Sequence, residues 1–482
     1  MYGQADANHS SARQTSHELD WAGRGTSHVD FHPDELLPLS QGRFLGHGMN
    51  GGVFETKVCG RTVAWKRRYC RRQIGVQELR EMDILKRLDN EHIIKLVGTY
   101  THGPFLGLLL WPVAVCDLGT FLEDVDNLTA KPDAEVDYQA MSQRLQSLGI
   151  DASQNSGPAL FRLKQSVGCI SSAIAYLHQR SIRHKDIKPS NILLSRDGLW
   201  VTDFGTSTDF SNISQSITQN GERGTPKYFA PEVAEYEANG RSADIFSLGC
   251  VFLEMIGLCN EYTLDFLKSL RPKKDQSFHA NLDSILDWFD FSGTQVSSQS
   301  DAQLMALVRE MLAITPQERP TAADIEARLR LIDAIRKPRW VMPLWGQCCA
   351  PVLPLAQSQS IQISAVTIEI GNMHKQLERG HEWHFFIRAP AAEAIIKDVH
   401  VFLHSSFKHP YKVDHKLPFE MGGRGWGYFT ISALLALKTG YCWVSPEATV
   451  GADGNSLLPL EWRLDFEKEL SFVRAEVGIA VQ

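Results

Sequence analysis

The chain has 482 residues, 43% hydrophobic and 22% charged, with a formal net charge of −7 at pH 7. That length exceeds what one hydrophobic core usually covers, so two or three domains are expected. The acidic balance argues against binding nucleic acid through the whole surface, while leaving basic peptide partners compatible. The polar segment Met1 to His28 is no secretory signal. The longest apolar run, Phe105 to Cys116, is too short to cross a bilayer. Nine cysteines are scattered, with only Cys348-Cys349 adjacent and no Cys-x-x-Cys pair. They point to a reduced intracellular compartment and no structural zinc site; with no apolar run long enough to span a bilayer, the chain is expected to be soluble.

In chain order, residues 1–40 are rich in Ser, His, Gln, Gly and Asp without apolar periodicity and predict a disordered tail. Phe44 to Lys66 reads as strand, turn, strand. Leu79, Met82, Leu85 and Leu88 then recur at threes, as in an amphipathic helix. Phe105 to Val115 supplies a further strand and a connection. Residues 123–157, interspersed with Asp, Asn, Ser, Pro and Gly, predict an inserted, partly disordered loop. Leu163, Val167, Ile170, Ile174 and Leu177 mark a helix, and Ile245 to Ile256 is apolar nearly all round, a helix inside a helical lobe. Beyond Arg339, Pro343, Pro351, Pro354 and a Gln/Ser stretch predict a linker over 336–360. After it the period becomes two: Val366, Ile368, Ile370, and later Leu460, Trp462, Leu464, Phe466. Several such segments predict a β-sandwich over 361–482.

The chemistry-bearing residues follow the same order. Gly46-His47-Gly48-Met49-Asn50-Gly51-Gly52-Val53 fits Gly-x-Gly-x-x-Gly-x-Val, a hairpin whose backbone can approach phosphates closely. Val63-Ala64-Trp65-Lys66 ends a strand in a lysine. Arg183-His184-Lys185-Asp186-Ile187-Lys188-Pro189-Ser190-Asn191 precedes Thr202-Asp203-Phe204-Gly205. Phosphoryl transfer needs one carboxylate to orient the attacking hydroxyl, and a second carboxylate with an amide to hold metal ions on the phosphates.

In order and spacing these motifs resemble the protein kinase family from about residue 41 to 335. The resemblance implies a two-lobed fold, with an N-lobe over 41–112 and a C-lobe over 113–335. It implies ATP and Mg²⁺ as cofactors. Gly46, Gly48, Gly51 and Val53 would cover the nucleotide, Lys66 would bind its phosphates, and the Val113 backbone would meet adenine, since Pro112 cannot donate. Lys66 would pair with Glu81, which fits the family's helix register better than Glu78. Asp186 would orient the substrate hydroxyl, Lys188 would neutralise the transferred group, and Asn191 and Asp203 would hold the metals. Glu232 would pair with Arg319, and Asp244 would tie the catalytic loop to the central helix. Lys188-Pro189-Ser190 and Gly224-Thr225-Pro226 look like the serine/threonine type. Lys185 stands where the family usually has arginine, so control by an activation-loop phosphate would lack a bidentate partner.

The C-terminal segments His381-Glu382-Trp383-His384, His404-Ser405-Ser406-Phe407 and Gly425-Trp426-Gly427-Tyr428-Phe429 resemble the YEATS domain over roughly 361–470. This is an immunoglobulin-like sandwich known as a reader of acylated lysine. The fold class is therefore multidomain α+β. An acylated lysine is neutral and flat, so recognition needs aromatic faces and a hydroxyl. Phe407 and Trp426 would sandwich the amide, Ser406 would bond it, and His404, Gly425 and Phe429 would shape the channel. The same aromatics filling the sandwich core is the plainer reading. The combination implies a serine/threonine kinase acting on protein substrates and directed to acylated histones or other acylated proteins. Nuclear location rests on the YEATS resemblance, with cytoplasm the other option; no direct nucleic-acid or membrane partner is expected. The rival is an idle kinase fold serving as a scaffold beside a peptide-binding or inhibitory sandwich.

Overall fold

The computed structural model describes residues 20–48, 51–70, 76–129, 136–151, 155–210, 224–292, 298–336, 342–349, 363–404, 406–407, 409–425, 427–451 and 453–481. Its contacts divide the chain into two compact units. One runs to Asp89 and resumes over Ile93–Ala114; the other comprises Asn90–His92 and everything from Val115.

The first unit is one six-stranded sheet with a helix. Its strands are β1 (His28–Phe31), β2 (Phe44–Gly48), β3 (Gly51–Val58), β4 (Arg61–Tyr69), β5 (Lys95–His102) and β6 (Phe105–Trp111), ordered β1-β5-β6-β4-β3-β2. Helix α1 (Val76–Arg87) buries Met82, Ile84 and Leu85. The sheet's order puts the glycine-rich hairpin β2–β3 beside β4, so that Val53 stands opposite Lys66.

Residues 20–31 correct the expectation of a disordered tail reaching to residue 40. Trp21, Val29 and Phe31 are buried in one cluster with Trp65 and Tyr100, and β1 adds to the sheet in parallel with β5. The Trp21 ring lies on Gly98, where a Cβ would come within 2.2 Å of it. Two aromatic rings and a valine bury enough area to offset the entropy of ordering a short polar segment.

In the second unit, β7 (Cys116–Asp117) leads into helices α2 (Leu118–Thr129), α3 (Tyr138–Ser147) and α4 (Gly157–Gln179). The stretch 123–157 is thus largely helical where it is described. Asp137 caps α3 by accepting from the Ala140 N–H at 3.0 Å, and Met141 and Leu145 are buried. Arg144 grips the buried Asp124 through two nitrogens at 3.0 and 2.5 Å. Its polar composition serves capping and ion pairing as well as loops, which is why composition misleads there.

Short strands β8 (Ile182–Arg183), β9 (Ile192–Ser195), β10 (Gly198–Val201) and β11 (Thr208–Asp209) frame the catalytic-loop motifs. Helices α5 (Pro231–Ala234), α6 (Arg241–Cys259), α7 (Leu264–Ser269), α8 (Leu282–Ser292), α9 (Gln299–Met311) and α10 (Ala322–Ala334) complete a helical lobe. Helix α6 is apolar enough for a bilayer by composition, but it is buried among these helices.

Residues 342–349, expected in a linker, are packed onto the lobe. Leu344 and Trp345 are buried. The Gly168 N–H donates to the Leu344 carbonyl at 2.9 Å, and Arg330 lies 3.4 Å above the Trp345 ring. Proline spacing signals an end of regular structure, not an end of packing.

The remaining strands form two antiparallel sheets. β12 (Ile363–Gln376), β13 (His381–Arg388), β16 (Phe419–Gly425), β18 (Tyr441–Val444) and β21 (Leu470–Val481) make one, in the order β16-β13-β12-β21-β18. β14 (Ile396–Phe402), β15 (Tyr411–Asp414), β17 (Thr430–Leu437), β19 (Thr449–Val450) and β20 (Ser456–Arg463) make the other, in the order β15-β14-β17-β20-β19. Val366, Ile368 and Ile370 all face the shared core, as period two requires. The sandwich touches the helical lobe: Gln303 and Gln299 of α9 donate to the Leu403 carbonyl at 2.6 and 3.2 Å. Arg328 of α10 lies 5.0 Å from the Tyr411 ring.

Candidate functional site

In the first unit, Lys66 is buried within β4, and its ammonium donates to Glu81 of α1 at 2.9 Å. Arg68 reaches the other oxygen of Glu81 at 2.8 Å. Two cations meet on one buried carboxylate and orient it, an arrangement that sequence order alone does not reveal. Gly51 is required sterically, because a Cβ would come 1.8 Å from the Arg67 carbonyl. Gly46 and Gly48 lie on β2 opposite Val53 and Gly51. Val113 follows β6 and is half-buried. Asn50 lies outside the described residues.

In the second unit, the catalytic-loop motif is pinned from below. Asp244 of α6 accepts from the main-chain N–H groups of His184 and Lys185, both at 2.9 Å, and from His178 at 2.9 Å. Burial alone would raise its carboxyl, but the His178 bond and charge, with Arg183 and His184, hold it well below the usual range. His184 donates to or accepts from nothing by accident: its Nε2 lies 2.9 Å from the Thr202 carbonyl, which fixes the proton on that nitrogen and joins the two motifs.

Asp186, Lys188 and Asn191 converge. Asn191 donates its amide to the Asp186 carbonyl at 2.8 Å and to Asp186 Oδ2 at 3.1 Å. Lys188 Nζ lies 2.7 Å from the same Oδ2. Thr225 closes the network: its N–H and hydroxyl lie 2.8 and 2.9 Å from Asp186 Oδ1, and the hydroxyl accepts from Lys188 at 2.7 Å. Thr225 was legible in the sequence only as part of Gly224-Thr225-Pro226; its contact with the carboxylate is a product of folding. Gly224 is needed for that approach, since a Cβ there would come 2.5 Å from Asp186 Oδ1.

Asp203 takes a left-handed backbone (φ 65°) ahead of the buried Phe204, whose ring packs 5.1 Å from His184. Left-handed backbone is tolerated by aspartate better than by most side chains. Arg319 and Glu232 form a bidentate, buried pair at 2.8 and 2.9 Å. Beside Lys188 and Thr225 opens a groove of about 420 Å³, lined also by Tyr228, Glu254 and Asp265. Ser214, Ser216 and Thr218, the candidate phosphate acceptors, lie outside the described residues.

On the sandwich, the structure brings together four of the six predicted pocket residues. The Phe407 and Phe429 rings are 5.2 Å apart, and each packs edge-on against the buried Trp383, at 6.2 and 5.7 Å. His404 lies 6.4 Å from Phe429, and its Nδ1 is 2.9 Å from the Ser406 hydroxyl. Both phenylalanines are partly buried against the core, so the plainer reading describes one side of each ring. Gly425 ends β16, 4.0 Å (as an added Cβ) from the Trp383 indole nitrogen. That nitrogen is buried with no hydrogen-bond partner among the described residues. Trp426 lies outside them.

Comparison with known proteins gives two family matches: the protein kinase domain over residues 39–328 and the YEATS family over 378–446. Among similar proteins, cytokinesis protein sepH of Aspergillus terreus is 30% identical over 226 residues, 46% of this chain and 14% of that protein. Mitogen-activated protein kinase kinase kinase A of Dictyostelium discoideum is 29% identical over 245 residues, 47% of this chain and 22% of its own. 3-Phosphoinositide-dependent protein kinase 1 of Rattus norvegicus is 25% identical over 251 residues, 48% of this chain and 39% of its own. The chain thus spans well under half the length of each of these relatives.

Proposed function

The chain belongs to the protein kinase family, and on that premise we propose that it transfers the γ-phosphate of ATP to serine or threonine hydroxyls of proteins. The observation that carries this reading is the network joining Asp186, Lys188, Asn191 and Thr225. Asp186 holds one oxygen against Thr225 and the other against Lys188 and Asn191. In this reading it accepts the acceptor hydroxyl's proton, while Lys188 offsets charge on the transferred group. Asn191 uses its NH₂ on Asp186, leaving the amide oxygen as a hard donor, and Asp203 adds a carboxylate. Such oxygens suit Mg²⁺. When bound, Mg²⁺ neutralises charge on the phosphate oxygens during transfer. Lys66, held by Glu81, would bind the nucleotide phosphates.

For the sandwich, the reading is recognition of acylated lysine on histones or other proteins, with Phe407 and Trp426 sandwiching the amide, Ser406 bonding it, and His404, Gly425 and Phe429 shaping the channel. Tethering would then raise the local concentration of nearby acceptor hydroxyls. One observation favours a second reading, a sandwich that is a fixed or inhibitory part of the kinase: the Leu403 carbonyl, next to His404, is held by Gln303 of the helical lobe.

The test is phosphate transfer to histones and generic basic substrates with ATP and Mg²⁺, abolished in Asp203→Ala. No transfer by the wild-type protein leaves the scaffold reading. Peptides carrying crotonylated, acetylated or unmodified lysine, with Trp426→Ala as control, test the reader. Equal affinity for all three removes it.

A further inference from the structure

Three cysteines and a histidine, none of them in the catalytic-loop motifs, meet beside β10, where His92 bonds the Leu199 carbonyl. Cys169 lies midway along α4, Cys348 and Cys349 occupy the short turn Gln347–Cys349, and His92 belongs to the Asn90–His92 segment of the same unit. One ligand atom from each lies within 4.8 Å of every other. Cys169 Sγ is 3.6 Å from Cys348 Sγ, and His92 Nε2 is 3.0 Å from Cys349 Sγ. A disulfide would need sulfurs about 2.05 Å apart. Tetrahedral zinc, with bonds of about 2.3 Å to sulfur, separates its sulfurs by about 3.8 Å. The observed spacing matches the second.

The surroundings supply what such a centre needs. His92 Nδ1 lies 3.1 Å from the Leu199 carbonyl. A carbonyl can only accept, so the proton sits on Nδ1 and the lone pair of Nε2 faces the sulfurs. His92 and Cys169 are each 3% exposed, which keeps the cluster from water on the lobe side. The turn is shaped for it: the Cys349 N–H donates to the Gly346 carbonyl at 3.0 Å, and Arg330 donates to the Cys349 carbonyl at 2.6 Å. A side chain at Gly346 would press within 3.1 Å and 3.2 Å of the sulfurs of Cys169 and Cys348. Three thiolates on a divalent ion leave one net negative charge, and the Arg330 guanidinium stands beside the turn to meet it.

We propose that His92, Cys169, Cys348 and Cys349 form a closed structural zinc site. The soft donor set, three thiolates and one imidazole, selects zinc over oxygen-seeking Mg²⁺ or Ca²⁺. Binding would release the three thiol protons to solvent. With all four positions taken by protein, no site is left for a substrate, so the role is to fasten: the ion clamps the segment carrying Leu344 and Trp345 onto α4. That segment leads from the helical lobe to the sandwich.

The full chain, expressed in zinc-supplemented medium and desalted, is assayed by plasma mass spectrometry. About one zinc per chain is expected, as a closed four-ligand site holds a single ion. The double variant Cys348→Ser, Cys349→Ser should lose at least about nine-tenths of it, and Cys59→Ser, at an exposed cysteine outside the cluster, should keep it. Should the double variant fold poorly, zinc-edge X-ray absorption of the wild type decides, with three sulfurs at about 2.3 Å and one nitrogen at about 2.0 Å expected. Chelation should raise amide exchange over 342–349. A wild-type protein without zinc, a first shell of oxygen and nitrogen, or a mapped Cys169–Cys348 disulfide overturns the site.

Discussion

Thr225→Val removes one hydroxyl from the proposed catalytic network while nearly preserving shape. In the wild type that hydroxyl accepts from Lys188 at 2.7 Å and lies 2.9 Å from Asp186 Oδ1. The Thr225 N–H still reaches Asp186 at 2.8 Å, and Lys188 still reaches Oδ2 at 2.7 Å. The net loss is therefore close to one hydrogen bond to a charged group, about 1.5–3 kcal/mol. If the bond matters mainly in the transition state, kcat falls about 10- to 150-fold at about 1.4 kcal/mol per tenfold. KM for ATP should hardly move, because the Thr225 hydroxyl touches Asp186 and Lys188, neither of which is among the residues proposed to bind the nucleotide. Radiometric transfer to a histone substrate measures both constants for wild type, Val and Ser variants. Thr225→Ser should stay within about threefold, since the hydroxyl remains. A valine variant within about twofold of wild type, or a serine variant as impaired as valine, refutes the role.

Glu232→Ala leaves the Arg319 guanidinium buried, with a side chain 0% exposed, and without its carboxylate. Loss of about 3–5 kcal/mol is expected in denaturant unfolding of the lobe, and a change below about 1 kcal/mol contradicts that. On the sandwich, burial holds the His404 imidazole below its ordinary value. Its Nδ1 faces the Ser406 N–H at 3.3 Å and so must be unprotonated. A depressed histidine stabilises its neutral geometry above the unfolded value of about 6.5 and loses that contribution as pH falls through the folded value. Acyl-peptide affinity followed by calorimetry should be flat from about pH 8 to 6.5 and weaken only on further acidification; weakening that begins on the alkaline side rules His404 out.

Much of the catalytic lobe was legible because its chemistry is local. Asp186, Lys188 and Asn191 lie within one loop, and a loop that short fixes their mutual reach before any tertiary contact forms. Period two likewise placed Val366, Ile368 and Ile370 on one face, because strand geometry enforces alternation. Other features depend on segments distant in the chain, which neither periodicity nor motif spacing encodes. Trp21 enters the first sheet through Gly98, and Thr225 meets Asp186 across 39 residues. Arg68 shares Glu81 with Lys66. Polar composition over 123–157 concealed a capped helix, and proline spacing concealed a docked turn.

The cysteines draw the line most clearly. Read along the chain they are scattered, and without a Cys-x-x-Cys pair they gave no reason to expect a metal. Folding carries His92, Cys169, Cys348 and Cys349 within 4.8 Å of one another, because α4 crosses beneath the turn that Leu344 and Trp345 anchor. Sequence determined which chemistry the polypeptide could perform; the tertiary packing decided which distant side chains share a site, since convergence is a property of how buried surfaces meet and not of order along the backbone.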